Sequence, residues 1–168
     1  MSVEGFSIQP VRPQDVPAVV SMVHELADYE RAPEQCHLTD DLLHAALFGP
    51  DPALFGHIAH DAAGEPVGMA LWFLNFSTWE GRHGIYLEDL YVRPAARGLG
   101  VGAALLATLA EVCEQRGYPR LSWWVLDSEA LDGSRAFYRR IGGVETREWV
   151  PWRVTGEALR ELAAWVGG

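Results

Sequence analysis

Two adjacent carboxylates, Glu88 and Asp89, interrupt a run of strand-forming apolar residues, with Ile85-Tyr86-Leu87 before them and Leu90-Tyr91-Val92 after. A charge placed in such a strand must be solvated, ion-paired or put to use, because burying it alone is costly. On a regular strand the two side chains point to opposite faces, unless a bulge intervenes. A carboxylate there can take a proton from a nucleophile or hold a cation; the structural alternative for Glu88 is an ion pair with Arg82 or Arg93. Arg93-Pro94 then breaks the strand, and Arg97-Gly98-Leu99-Gly100-Val101-Gly102-Ala103 opens a helix. Glycines around a first helical turn leave backbone N–H groups uncovered where the helix dipole is positive, which makes a cradle for an anion, most often phosphate. A tight turn that merely needs small residues is the alternative.

Two phosphate motifs can be tested on these letters. A P-loop needs Gly-Lys-Ser/Thr at its end, and Gly102 is followed by Ala103 and Ala104. Gly98 to Ala103 does fit the dinucleotide pattern G-x-G-x-x-G/A, with Asp127 at the end of the next strand. The separation of strand from first glycine and the short chain after Asp127 do not fit a doubly wound sheet, so this reading is rejected.

Arg97-x-x-Gly100-x-Gly102 at the end of such a strand resembles the coenzyme A pyrophosphate loop of the GNAT superfamily of N-acetyltransferases. Phe76-Ser77-Thr78-Trp79-Glu80-Gly81 leading into Tyr86 to Val92, and Phe137-Tyr138-Arg139-Arg140 before a glycine pair, are similar to the spermidine/spermine branch and its thialysine-acetylating relatives. The resemblance covers nearly the whole chain. It implies acetyl-CoA as co-substrate, held by the main chain of Leu90, Tyr91 and Val92 and by the loop Arg97, Gly98, Leu99, Gly100, Val101, Gly102 and Ala103. It implies Glu88 as the base, acting directly or through water, and Tyr138 as the acid that protonates the leaving thiolate. Glu30 and Asp89 match acidic positions linked with the amine, Trp79 stands where that branch has a Trp of the substrate groove, Trp152 lies near its C-terminal aromatic position, and a homodimer is implied. Two departures stand out: one extra residue between Trp79 and Glu88, and a segment Ser128 to Gly133 about two residues longer than the usual Trp-Asn approach to the short helix.

The chemistry asks for those residue types. An alkylammonium has a pKa of about 10.4, so near neutral pH only roughly one molecule in a thousand is ready to attack, and a base must help. A thiolate with a parent pKa of about 8.5 leaves readily, and a phenol nearby eases it further. The expected activity is therefore acetyl transfer to a primary amine of a small cationic molecule, a polyamine, diamine or thialysine-like amino acid, by direct attack in a ternary complex. A protein lysine or aminoglycoside amine as acceptor, and a non-catalytic acyl-CoA-binding regulator, remain as alternatives.

The elements that must position these groups can be read in order. Phe6 to Val11 alternates as a strand; Val16, Val19, Val20, Val23, Leu26 and Ala27 repeat at helical spacing; Thr39 caps a second helix stopped by Gly49-Pro50. Leu54 to Asp61 and Glu65 to Phe76 form a strand pair, Ser77 to Gly84 a loop, and the helix after the glycines buries Val101, Leu105, Leu109, Val112 and Cys113 up to Gly117. A strand over Leu121 to Leu126, a short helix Ser134 to Arg140, a strand over Val144 to Val154, and a last helix with Leu159, Leu162, Ala163 and Val166 facing inward complete the reading. The fold class is α+β, with a mixed, largely antiparallel central sheet flanked by helices, and 1–168 reads as a single domain.

With 23 acidic against 13 basic residues the formal charge is -10, and no basic stripe occurs, which argues against nucleic acid and anionic membranes and favours cationic small molecules. Cys36 and Cys113 suggest no disulfide, and His57 and His60 face opposite sides of a strand, so no metal is expected. Without a signal-like N-terminus or a membrane-length apolar run, a cytoplasmic protein is expected.

Overall fold

A computed structural model describes residues 2–3, 5–126 and 132–165. They group into two compact units, Met1–Leu126 and Asp127–Gly168. In the first, a sheet is built from β1 (Ser2–Val3), β2 (Phe6–Pro10), β3 (Phe55–Asp61), β4 (Pro66–Ser77), β5 (Arg82–Val92) and β6 (Leu121–Ser122). The strands lie side by side in chain order, antiparallel from β1 to β5, with β6 parallel to β5. The parallel step needs a crossover, which α3 (Val101–Arg116) supplies.

Alternation along the strands gives the sheet two apolar faces. On one, Ile58, Met69, Leu71 and Tyr91 pack with Val16, Val19, Val20 and Met22 of α1 (Val16–Tyr29) and with Leu43 and Leu47 of α2 (Asp40–Phe48). On the other lies α3, whose Val101, Leu105, Leu109 and Cys113 are buried. Gly68 allows that helix to come close: a Cβ there would lie 3.0 Å from the Tyr91 carbonyl oxygen and 3.2 Å from Val101 Cγ1. Each fully buried Leu, Ile or Met in these layers stabilises the fold by roughly 1.5–3 kcal/mol.

The ends of the helices follow their residue types. Thr39 accepts a hydrogen bond from the Leu42 N–H at 3.3 Å, as its position before Asp40 and Asp41 predicts. Gly117, at φ 66°, ends α3 in the left-handed conformation. Arg31 ends α1 the same way, at φ 62° without being glycine, while Ala32 N–H reaches back to the Ala27 carbonyl at 2.9 Å.

Several expectations are corrected. The segment before β5 is a hairpin tip of four residues, 78–81, because β4 runs on to Ser77 and β5 already starts at Arg82. The strand expected over Leu121 to Leu126 pairs only through Ser122. In the second unit, α4 (Asp132–Arg140) and α5 (Gly156–Ala164) form, but no strand forms over Val144 to Val154. A strand is stable only against a partner, and Pro151 removes a donor from that stretch. Leu159, Leu162 and Ala163 on α5 are exposed rather than inward-facing. Val166, Asp127 and the altered segment Ser128 to Leu131 lie outside the described residues.

Candidate active site

The register of β5 on β4 is the first determinant of the site. Leu71 faces Asp89 and Trp72 faces Leu87, so Glu88 is an extra residue with no partner across the ladder. This is a β-bulge, and it changes the side-chain parity of the strand. Asp89 lands on the face of Leu71 and Tyr86 instead of alternating away from them. Glu88 is exposed there, and its charge reaches both neighbours. The bulge is the exception to the alternation that would send Glu88 and Asp89 to opposite faces of a regular strand.

Two other carboxylates act on Asp89 at this bulge through their charge. The half-buried Asp89 is pushed up to about 6, first by loss of water and then by the charges of Glu88 and Glu30. Glu30 comes directly after the last residue of α1, and its carboxyl is raised by partial desolvation although the residue as a whole is exposed. The alternative ion pair for Glu88 is not made: Arg93 instead gives Glu25 of α1 three contacts of 2.8–3.2 Å, and Glu88 makes no ion pair among the described residues. Aromatic rings wall the same face, with Tyr86 4.9 Å from Phe73 and 5.9 Å edge-on from Trp124, centroid to centroid. Trp124 was legible in sequence only as a strand residue.

The second determinant is an open edge. β6 accompanies β5 only along Ile85 and Tyr86, so beyond them no strand among the described residues pairs with that side of β5. Arg93 N–H donates to the Val67 carbonyl at 2.9 Å, which makes Arg93–Val67 a hydrogen-bonded pair. Antiparallel pairs alternate, so Tyr91 and Asp89 use their main-chain groups on β4, while Leu90 and Val92 direct theirs to the open edge. Of the three main chains expected to hold the cofactor, the Leu90 groups and the Val92 N–H therefore face the open edge, and that of Tyr91 is committed to the ladder.

The third is the loop into α3. Gly98 and Gly100 adopt φ values of 77° and 87°, and no side chain caps the helix after Gly100. The N–H groups of Val101, Gly102 and Ala103 are left without intrahelical partners, and Leu99 stands exposed beside them. Such a turn suits a pyrophosphate. Arg97 takes another course: its Nε donates to the Val92 carbonyl at 2.9 Å, and its guanidinium lies 4.7 Å from the Tyr29 ring centre and 5.6 Å from that of Tyr91.

The remaining expected residues lie apart from this cluster or in the other unit. Trp79 is 88% exposed at the hairpin tip, so it is not tucked onto the core. The hairpin carrying it is fastened by Arg120, which donates to Glu80 Oε2 at 2.7 Å and to Asn75 Oδ1 at 3.2 Å. Tyr138 is partly buried on α4 beside Phe137, and Trp152 is exposed in the irregular stretch before α5. His57 is buried and accepts from Trp72 Nε1 at 3.2 Å, a core role.

Comparison with known proteins agrees with this geometry. The model of the Acetyltransferase (GNAT) family matches residues 19–143. The thialysine N-epsilon-acetyltransferase of Bos taurus is 36% identical over 168 aligned residues, covering 93% of this chain and 96% of that protein. Among solved structures, an integron cassette protein from Vibrio cholerae superposes with a TM-score of 0.78 at 24% identity, over 95% of this chain and 98% of that one. An aminoglycoside N-acetyltransferase in complex with CoA gives 0.69 at 18% identity, over 89% and 94%. No helix among the described residues is long and apolar enough to cross a membrane. The chain belongs to the acetyltransferase (GNAT) family and is an N-acetyltransferase.

Proposed function

We propose that the enzyme transfers the acetyl group of acetyl-CoA to a primary amine of a small cationic molecule, of the thialysine, diamine or polyamine type, by direct attack in a ternary complex. The observation that carries this reading is the half-buried Asp89 at the β4–β5 bulge, next to Glu88, under the charge of Glu30 and one residue from the outward main chain of Leu90. The name of the mammalian relative supports the same substrate class.

In this reading the glycine loop holds the pyrophosphate, and the open edge of β5 holds the pantetheine arm as a further strand would. The Leu90 N–H polarises the thioester carbonyl, where charge develops as the amine adds. Asp89 and Glu30 hold the ammonium, and Glu88, which no ion pair among the described residues engages, takes its proton directly or through water. The nitrogen attacks, the C–S bond breaks, and the thiolate leaves with a proton from Tyr138, a role supported by the resemblance around Phe137-Tyr138. Holding both substrates together removes the entropy of their encounter. A homodimer working in the cytoplasm belongs to the same proposal and rests on the resemblance and the composition.

The test is release of free thiol from acetyl-CoA against spermidine, spermine, short diamines, thialysine, lysine and aminoglycosides, at several ionic strengths. Efficient turnover of one small amine, weakened by salt, supports the reading. Tight acetyl-CoA binding with no thiol release from any of them overturns it.

A further inference from the structure

The first residue of the glycine loop does something the loop's own chemistry does not require. The Arg97 side chain reaches back to β5 and α1. Its Nε takes the Val92 carbonyl at 2.9 Å, and its guanidinium rests on Tyr29, the last residue of α1, at 4.7 Å. The Tyr91 hydroxyl lies between two charges, interacting with both Arg97 and Glu25. Glu25 in turn holds Arg93 in a bidentate pair. Two arginines of the β5–α3 connection thus fasten the C-terminal half of α1, Arg93 through Glu25 and Arg97 through Tyr29.

Glu30, whose charge acts on Asp89, is the very next residue after Tyr29. Its backbone is fixed from the other side by the left-handed turn at Arg31. Arg97 also fills the outward carbonyl of Val92, which closes the open edge of β5 at that end. A strand-like partner then has the Leu90 groups and the Val92 N–H to pair with.

We infer that Arg97 is a positioning residue for the amine site: its side chain sets the place of Glu30 through Tyr29, while its loop serves the cofactor by main chain alone. The inference rests on the proposed use of Glu30 toward the amine. It makes the cofactor loop and the amine wall one mechanical unit, so that a cofactor seated on the loop steadies the acid that receives the second substrate.

The test separates the two substrates. Arg97→Lys keeps the charge but loses the planar stack and the Nε donor, and Tyr29→Leu removes the ring it stacks on. Each variant is expected to raise the KM for the amine about 3- to 10-fold, with the calorimetric Kd for CoA changed less than about twofold. Tyr29→Phe, which keeps the ring, is expected to behave as wild type. A rise in the Kd for CoA on Arg97→Lys, with the amine KM unchanged, would make Arg97 a cofactor ligand and overturn the inference. A readout without substrate keeps the test independent of amine identity: the titration of Glu30 followed by carboxyl NMR. Its raised midpoint should move toward the ordinary value in Arg97→Lys and Tyr29→Leu. An unmoved midpoint overturns the inference even where an amine is turned over, whereas a moved midpoint without turnover of any amine faults the substrate reading alone.

Discussion

Asp89 faces Leu71 across the β4–β5 ladder, although the residue two places earlier on its strand, Leu87, faces Trp72. That one-residue slip places a half-buried carboxyl beside Glu88 and within reach of Glu30's charge, and leaves it titrating at about 6. Under the proposed function, its cost to the folded state and its service to a cation are linked.

For a carboxyl raised from 3.8 to about 6, the folded chain binds the proton more tightly than the unfolded one. Stability is then greatest below the unfolded value and falls as pH rises from about 4 to about 6. At pH 8 the penalty is at most about 3 kcal/mol. Asp89→Asn should therefore raise the denaturant midpoint at pH 8 and not at pH 4, while weakening amine binding. Urea melts at the two pH values check the first half, and the amine KM the second.

Replacing the carboxylate at the bulge is expected to act on turnover and not on the cofactor. Glu88→Gln should lower kcat by about 10²- to 10⁴-fold with the calorimetric Kd for CoA unchanged. An equal loss in CoA affinity would place Glu88 in the scaffold of the bulge and not in proton transfer.

Gly100 sits at φ 87° with open space where a Cβ would stand, so a side chain meets no atom and only the backbone conformation resists. Gly100→Ala should cost about 1–2 kcal/mol at the mouth of α3 and weaken CoA binding about 5- to 10-fold. A thermal melt beside the binding isotherm separates lost stability from lost affinity.

The Glu25–Arg93 pair fastens α1 to the end of β5. Burial alone would raise the Glu25 carboxyl, but Arg93's hydrogen bonds and charge prevail and hold it below its ordinary value. A lowered carboxyl contributes stability above its unfolded pKa of 4.5 and loses it as pH falls through the folded value. With both side chains about one-third exposed, Glu25→Gln should cost about 1 kcal/mol near neutral pH and nothing once the wild-type carboxyl is protonated. Melts from neutral to strongly acidic pH would show the difference closing.

Much of the first unit was legible because its signals are local. Thr39, Gly117 and the spacing from Val16 to Tyr29 each state a helix end or face by residue type. The glycine loop announced itself likewise. The partnership of Glu88 with Asp89 did not, because parity along one strand assigns them to opposite sides and only the pairing with β4 reveals the bulge. Arg97 was readable as part of an anion loop, yet its side chain answers to Tyr29, sixty-eight residues earlier. No local pattern encodes that contact. Val144 to Val154 shows the converse failure: Trp149, Val150 and Trp152 have strand propensity, but propensity needs a neighbouring edge to become a strand.

The strands stand in the sheet in the order in which they stand in the chain. During synthesis each new strand therefore meets an edge that its predecessor already offers, and none has to be inserted between two that are paired. β5 arrives after β2, β3 and β4, so the acids of the bulge are laid onto a finished floor, and the crossover through α3 comes last. β6 meets β5 only along Ile85 and Tyr86, so the rest of that edge stays without a strand partner among the described residues once the sheet has formed, and under the proposed function it is the surface on which the cofactor would lie.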